Sequence, residues 1–546
     1  MNRSLPKTTS SSEAEDSAHA AQRPDESQRF RAAWRWWLPP ALLSFALALY
    51  FRDPFIGDWD GLDYTVLAVR GQPSSMALGR TLFIFFNHAL YSLAHKLFHL
   101  PTEDAYLLFK YTVICLSPLV VIACFALTRE VTNSNRTSTI AALLITASPP
   151  FVVYSGQVMT DVPSLIFVVL ALLIHLRGLR SGRWWMMMLG AALLGAGVNV
   201  RETAMFYAPW LLLAPFVCGW KFGRRELALI ALSCLVFALV AFGPFALWFW
   251  TDASGYRAAW YSWRDSGQAE AARHPVTIRN VLPFLFYTFI LGPIVCIALP
   301  FAIWKEWRAR GLTPLLLLAF FGVWANFLLF FNYSTTINWR YFLTGLPTLV
   351  PLVADYLLRS QTTKLGDARR AFWSTVLGIA FVMLLVAIYA NPTSRENSIK
   401  RALTKDYRAR LALLPPDAVV MAGAQTIAVT YWRGIGMGQW TEIGTGAGWP
   451  AVPLDAAIEN YLKEGRRVFL DQDPRWWAPC GWQLDETLQL VRLETRFHFR
   501  KLSDTIYEIR PPGDESAHDT PNLQSLLPEN RPAETKKCLG LRPTTK

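Results

Sequence analysis

Residues 227–250 contain no charged side chain, and neither do residues 372–390. A stretch of that length forms a helix able to cross a hydrocarbon core roughly 30 Å thick. A helix satisfies its own backbone hydrogen bonds there, which a loop or an open strand does not. Similar runs recur along the chain, so the fold class is that of an α-helical polytopic membrane protein. The composition agrees, with 53% hydrophobic, 14% aromatic and only 17% charged residues. The net charge of +13 sits in short clusters between the apolar runs. That is the pattern of cytoplasmic membrane loops, so membrane lipids are expected partners and nucleic acid is not.

The basic clusters set the orientation. They are Arg29, Arg31 and Arg35; Arg129 and Arg136; Arg177, Arg180 and Arg183; Lys221, Arg224 and Arg225; Lys305, Arg308 and Arg310; Lys364, Arg369 and Arg370. All of them fall on one side only if residues 81–98, although apolar, stay on the outer surface. The periodicity of that segment fits. Leu82, Phe86, Leu90, Leu93 and Leu97 form one stripe at helical spacing, opposed by His88, Ser92, His95 and His99. This reads as an interfacial amphipathic helix whose histidine face meets headgroups and water, or else binds metal or phosphate. The result is about eleven crossings with the N-terminus in the cytoplasm. Expected spans are 36–51, 105–127, 139–155, 162–178, 184–199, 203–219, 227–250, 280–304, 313–331, 340–358 and 372–390. The long outer loops are 52–104 and 251–279, the second rich in Trp and Tyr as suits a membrane interface.

Four regions follow. Residues 1–28 are a polar, disordered cytoplasmic tail, not a cleavable signal peptide. Residues 29–390 are the transmembrane domain. Residues 391–510 alternate helical and strand-like patterns, with strands near 418–422, 467–470, 496–501 and 505–509 and a helix over 454–463, and read as a small extracytoplasmic α/β domain. Residues 511–546 read as a disordered tail. The glycines from Gly434 to Gly448 lack the strand–turn–helix context of a nucleotide fingerprint. Five of the seven cysteines lie in apolar segments as packing residues, and pairing of Cys480 with Cys538 stays open.

The first outer loop carries Asp58, Asp60 and Asp63, with Tyr64 beside them. Clustered carboxylates can deprotonate a hydroxyl or hold a divalent cation, and their mutual repulsion raises at least one pKa. A solvated acidic loop is the plainer reading. Asp161 stands before Val162-Pro163 at a helix start on the same side, where it can cap the helix or take part in chemistry. Arg80, Arg201 and Arg340 occupy outer helix ends. Arginine at that depth needs a partner or a wet cavity; it can grip a phosphate, or pair with a nearby acid, as Arg201 with Glu202. Acids and arginines thus gather on the face where a lipid phosphate would lie.

Three stretches resemble the GT-C superfamily of integral membrane glycosyltransferases, of the protein O-mannosyltransferase and aminoarabinose transferase type. They are Asp60-Gly61-Leu62-Asp63-Tyr64 with Val69-Arg70-Gly71-Gln72-Pro73, then Met159-Thr160-Asp161-Val162-Pro163, then Trp339-Arg340-Tyr341-Phe342-Leu343-Thr344-Gly345-Leu346-Pro347. Gly61 stands where the family has Glu, and no acid precedes Arg80 where some members have a metal-binding Glu. The resemblance implies two juxtamembrane helices in the first outer loop and an inverting transfer of sugar from a polyprenyl-phosphate donor to an acceptor in the cell envelope. It places Asp60 as the base, with Asp58 as the alternative, and Arg80 on the donor phosphate. Arg201 and Arg340 are further phosphate candidates, and Asp63, Tyr64, Asp161, Glu202 and His88 complete the expected site. No cofactor is firmly implied; a divalent cation stays open, as does the acceptor. A bacterial inner membrane is the expected location. Two other readings fit the sequence: a transporter or flippase of lipid-linked precursors, and an inactive scaffold of the same fold.

Overall fold

The structure is a computed structural model. It describes residues 34–52, 59–74, 78–220, 223–273, 292–332, 343–360, 368–383, 385, 408–421, 431–443, 453–473, 491–514 and 516–527. The helical part opens with α1 (Trp34–Tyr50), α2 (Trp59–Arg70), α3 (Thr81–Phe98) and α4 (Ala105–Thr132). It continues with α5 (Asn135–Thr146), α6 (Pro149–Tyr154), α7 (Asp161–Ser181) and α8 (Trp184–Val200). A 3-10 turn (Glu202–Tyr207) leads to α9 (Trp210–Val217) and α10 (Arg224–Thr251), then α11 (Ala253–Arg273), α12 (Pro293–Arg310), α13 (Pro314–Asn332) and α14 (Leu346–Ser360). Residues 368–383 form a further helix.

Among the described residues, Thr102–Thr132, Asp161–Ser181 and Arg224–Thr251 are long and apolar enough to cross a membrane, and Trp184–Val200 and Pro314–Leu328 are shorter apolar helices. Helix α10 packs one side against α8 and exposes Leu232, Leu235, Leu239 and Leu247, a continuous apolar face that suits lipid. Two expected spans are interrupted. The run 139–155 divides into α5 and α6 at Ser148-Pro149-Pro150, because proline supplies no backbone N–H to continue the ladder. The run 203–219 starts as the 3-10 turn and becomes α9 only after Pro209.

Between α1 and α4 lie the two expected helices, α2 and α3, packed on each other. Helix α3 buries Phe83, Ile84, Asn87 and Tyr91 against the protein. It leaves Leu82, Phe86, Leu93 and Leu97 exposed, so the predicted apolar stripe faces away from the core. The second long loop is not a loop: residues 253–273 form helix α11, begun where Asp252 Oδ1 accepts the Gly255 N–H at 2.9 Å. Its alanines, arginines and glutamine favour helix despite the aromatic residues.

The C-terminal part holds a five-stranded sheet in the order β2–β1–β3–β5–β4. The strands are β1 (Val419–Met421), β2 (Thr441–Ile443), β3 (Val468–Asp471), β4 (His498–Lys501) and β5 (Ile506–Arg510), with α15 (Leu454–Lys463) between β2 and β3. Strand β1 runs parallel to β2 and β3, while β5 is antiparallel to both β3 and β4. Side chains alternate between two cores. Val419, Met421, Val468, Leu470, Tyr507 and Ile509 pack with Leu454 and Ile458 of α15, whereas Val420, Phe469 and Ile506 join the core of the helical part. The expected tail starts later than residue 511: Leu523 and Leu526 are fully buried in the domain core. Cys480 and Cys538 lie outside the described residues.

Candidate active site

Helix α2 presents its acids on its first turns. Asp60 lies in the first turn, where the helix dipole favours a negative charge, and Asp63 follows one turn later on the same side. The helix is anchored through Leu62 and Tyr64, each 3% exposed, and through Thr65 and Ala68, both fully buried. Gly61 is required by contact. A Cβ at that position would lie 2.9 Å from the Val158 carbonyl oxygen and 3.5 Å from the Tyr106 ring, so a larger side chain has no room there. Asp58 lies outside the described residues.

Arg80 reaches the same place from the start of α3. Gly79 and Arg80 both adopt left-handed backbone, at φ 80° and 67°. The turn closes tightly on Glu202: a Cβ on Gly79 would sit 2.8 Å from Glu202 Oε2. The Arg80 guanidinium lies 3.9 Å from Glu202 Oε1 and 5.4 Å from the centre of the Tyr64 ring. It also acts on Asp63. Burial holds the Asp63 carboxyl above its usual range, Asp60 pushes in the same direction, and Arg80 pulls back.

Beneath this group lies an ion pair taken out of water. Arg201, 2% exposed, pairs with Asp161, 3% exposed, at the N-terminus of α7, and its Nη1 reaches Thr160 Oγ1 at 3.5 Å. Arg201 was a phosphate candidate by sequence; here its guanidinium faces Asp161 inside the protein. The next residues continue the linkage. The Thr203 and Thr344 hydroxyls are 3.4 Å apart, and Tyr207 Oη donates to the Thr344 carbonyl at 2.7 Å. Segment 201–207 therefore joins two of the sequence motifs to Arg80: Asp161 through Arg201, Thr344 through Thr203 and Tyr207, and Arg80 through Glu202. Arg340 lies outside the described residues.

His88 takes a structural part. Its Nδ1 lies 2.7 Å from the Ala68 carbonyl, and its ring fills the space that a Cβ on Gly71 would need. It thereby fastens α3 to the last turn of α2. Among the described residues no three His, Cys, Asp or Glu side chains converge as a metal-ligand set. Sequence reading missed Lys110, which is 1% exposed on α4 with its amine 4.9 Å from the Tyr106 ring centre. The available signal was a lysine interrupting the outer end of an apolar run, because a buried amine at that depth is costly.

Residues 86–248 match the family of dolichyl-phosphate-mannose-protein mannosyltransferases. Comparison with curated protein sequences finds no match. Among solved structures, ArnT from Cupriavidus metallidurans bound to undecaprenyl phosphate superposes with a TM-score of 0.54 at 14% identity, covering 89% of this chain and 98% of that one. This chain has the fold of ArnT. The apo state of the same ArnT matches equally over both chains, with a TM-score of 0.55. The arabinofuranosyltransferase AftD from mycobacteria matches over 83% of this chain and 37% of its own, at 15% identity and a TM-score of 0.47.

Proposed function

We propose that this chain is a membrane glycosyltransferase. It moves a sugar from a polyprenyl-phosphate donor to an envelope acceptor at the extracytoplasmic face of a multi-pass membrane domain, in a bacterial inner membrane. The observation that carries this reading is the meeting of the first-loop acids with Arg80 over the buried Asp161–Arg201 pair. Chemistry of this class needs one proton acceptor and one cationic group on a shared locus. Asp60 takes the proton from an acceptor hydroxyl as its oxygen bonds to the anomeric carbon. The bond from that carbon to the phosphate oxygen breaks, and its electron pair leaves with the polyprenyl phosphate. Arg80 neutralises the charge gathering there. Displacement from the face opposite the leaving group inverts the anomeric centre. The match to the mannosyltransferase family and the undecaprenyl phosphate bound to ArnT support a donor of this chemistry.

Purified protein in lipid, offered radiolabelled polyprenyl-phosphate sugars with a crude envelope extract, tests the reading. Asp60→Asn is expected to lose transfer by about 10²–10⁴-fold, the usual contribution of a general base, and Asp58→Asn to retain it. Folded wild-type protein that turns over no donor in the panel would overturn the proposal.

A further inference from the structure

The C-terminal domain touches the helix that bears the acids. Residues 431–434 form one helical turn, with Tyr431 and Trp432 each 1% exposed inside the core shared with the helical part. The Gly434 carbonyl accepts the Arg70 Nε–H at 2.7 Å, at the last turn of α2. A Cβ on Gly434 would lie 2.8 Å from both Val66 Cγ atoms, so the backbone of the turn rests directly on α2. Tyr431 meets Tyr106 edge-on at 6.5 Å, and Tyr106 is the ring that closes against Gly61, next to Asp60. Arg408 and Glu103, 3.5 Å apart, fasten the same domain ahead of α4.

We infer that the turn 431–434 is a positioning element for transfer: it fixes α2 lengthwise and sideways, and through it the placement of Asp60 and Asp63 against Arg80. The C-terminal domain is then part of the frame of the site as well as a neighbour of it. Helix α2 is short, and among the described residues its main packing partners are α3 and α4. Movement of the domain, for example when an acceptor engages it, would reach the acids through Arg70 and Val66. The inference rests on the proposal that α2 carries the catalytic acid.

Two measurements on the full chain in nanodiscs test it: hydrogen–deuterium exchange over residues 59–70 without donor, and transfer kinetics. Gly434→Ala forces Val66 aside, so exchange over 59–70 is expected to quicken and kcat to fall about tenfold with donor KM little changed, as displacement of a reacting group predicts. Val66→Ala removes the clashing methyls and leaves only a Cβ, 3.4 Å from the new methyl. Gly434→Ala with Val66→Ala is therefore expected to return both readouts to within about twofold of wild type, the coupling expected of residues in contact. Arg70→Gln, which loses only the bond to the Gly434 carbonyl, provides a second route if Gly434→Ala does not fold. Unchanged exchange in Gly434→Ala and Arg70→Gln, or failure of Val66→Ala to rescue, would overturn the inference. Because exchange is read without donor, it decides the docking even if no sugar transfer is found.

Discussion

Arg201 and Arg410 are both arginines drawn into the protein by aspartates, but their charge balance differs. Arg201 meets Asp161 at the N-terminus of α7, and the neighbouring Arg80 meets Glu202 and also draws on Asp63. Arg410, in the helical turn before β1, faces two acids at the end of β3: Nη1 holds both Asp471 oxygens at 3.0 and 2.8 Å and the Thr505 hydroxyl at 3.0 Å, and Nη2 lies 3.2 Å from Asp473. Burial shows in Asp471. Its pKa rises from an ordinary 3.8 to about 6, chiefly through burial, with Arg410 opposing and Asp473 adding to the rise. A one-to-one pair can act as a fixed post beside a site. An acid-rich cluster instead holds a proton that pH can remove.

The sharpest way to break this comparison is to unbalance the balanced pair. Asp161→Asn leaves the Arg201 charge buried beside an amide, and is expected to destabilise the protein by about 3–5 kcal/mol. Unfolding in detergent by heat or SDS measures this, and a change under 1 kcal/mol would show that other groups carry the charge of Arg201.

The second test concerns pH. The unfolded Asp471 loses its proton near its ordinary value, while the folded one keeps it until about pH 6. Between these values the folded state binds more protons, so this group's contribution to stability is full below the window and declines as pH rises through it. The decline amounts to about 3 kcal/mol, from roughly two pKa units. Asp471→Asn is expected to flatten the slope of unfolding free energy between pH 4 and pH 6, and an unchanged slope would refute the assignment.

The smallest effect expected is at Arg80. Arg80→Lys keeps the cation but loses the planar fork, so on the proposed mechanism donor KM rises about tenfold while the fold is kept. Calorimetric or kinetic titration with polyprenyl phosphate reads it, and unchanged donor affinity would move the phosphate elsewhere.

Much of the architecture could be read from the chain because it is local. Apolar runs mark helices, and alternation in 467–470 and 505–509 marks the strands that became β3 and β5. Strand β2 escaped because Thr441–Ile443 is short, follows a glycine-rich stretch and is a strand only through its pairing with β1. Helix α11 escaped because its aromatic residues suggested a loop at the interface. At the site, residue types were legible and partners were not. Asp161 and Arg201 are forty positions apart, and nothing in either segment says that they meet. The acids of α2 and Arg80 were singled out because their chemistry is conspicuous. Thr203 and Tyr207, which bind the third motif to the segment that holds Asp161 and Arg80, look ordinary in sequence and acquire their role only through contact with Thr344.

The left-handed backbone at Arg80 has a consequence for anyone who engineers this protein. A side chain at φ 67° carries a penalty of roughly 1–2 kcal/mol that glycine would not. Directed evolution for heat resistance alone would therefore favour glycine at position 80, and would yield a sturdier chain stripped of the cation at the meeting point of its motifs. Libraries selected for robustness should hold position 80 constant.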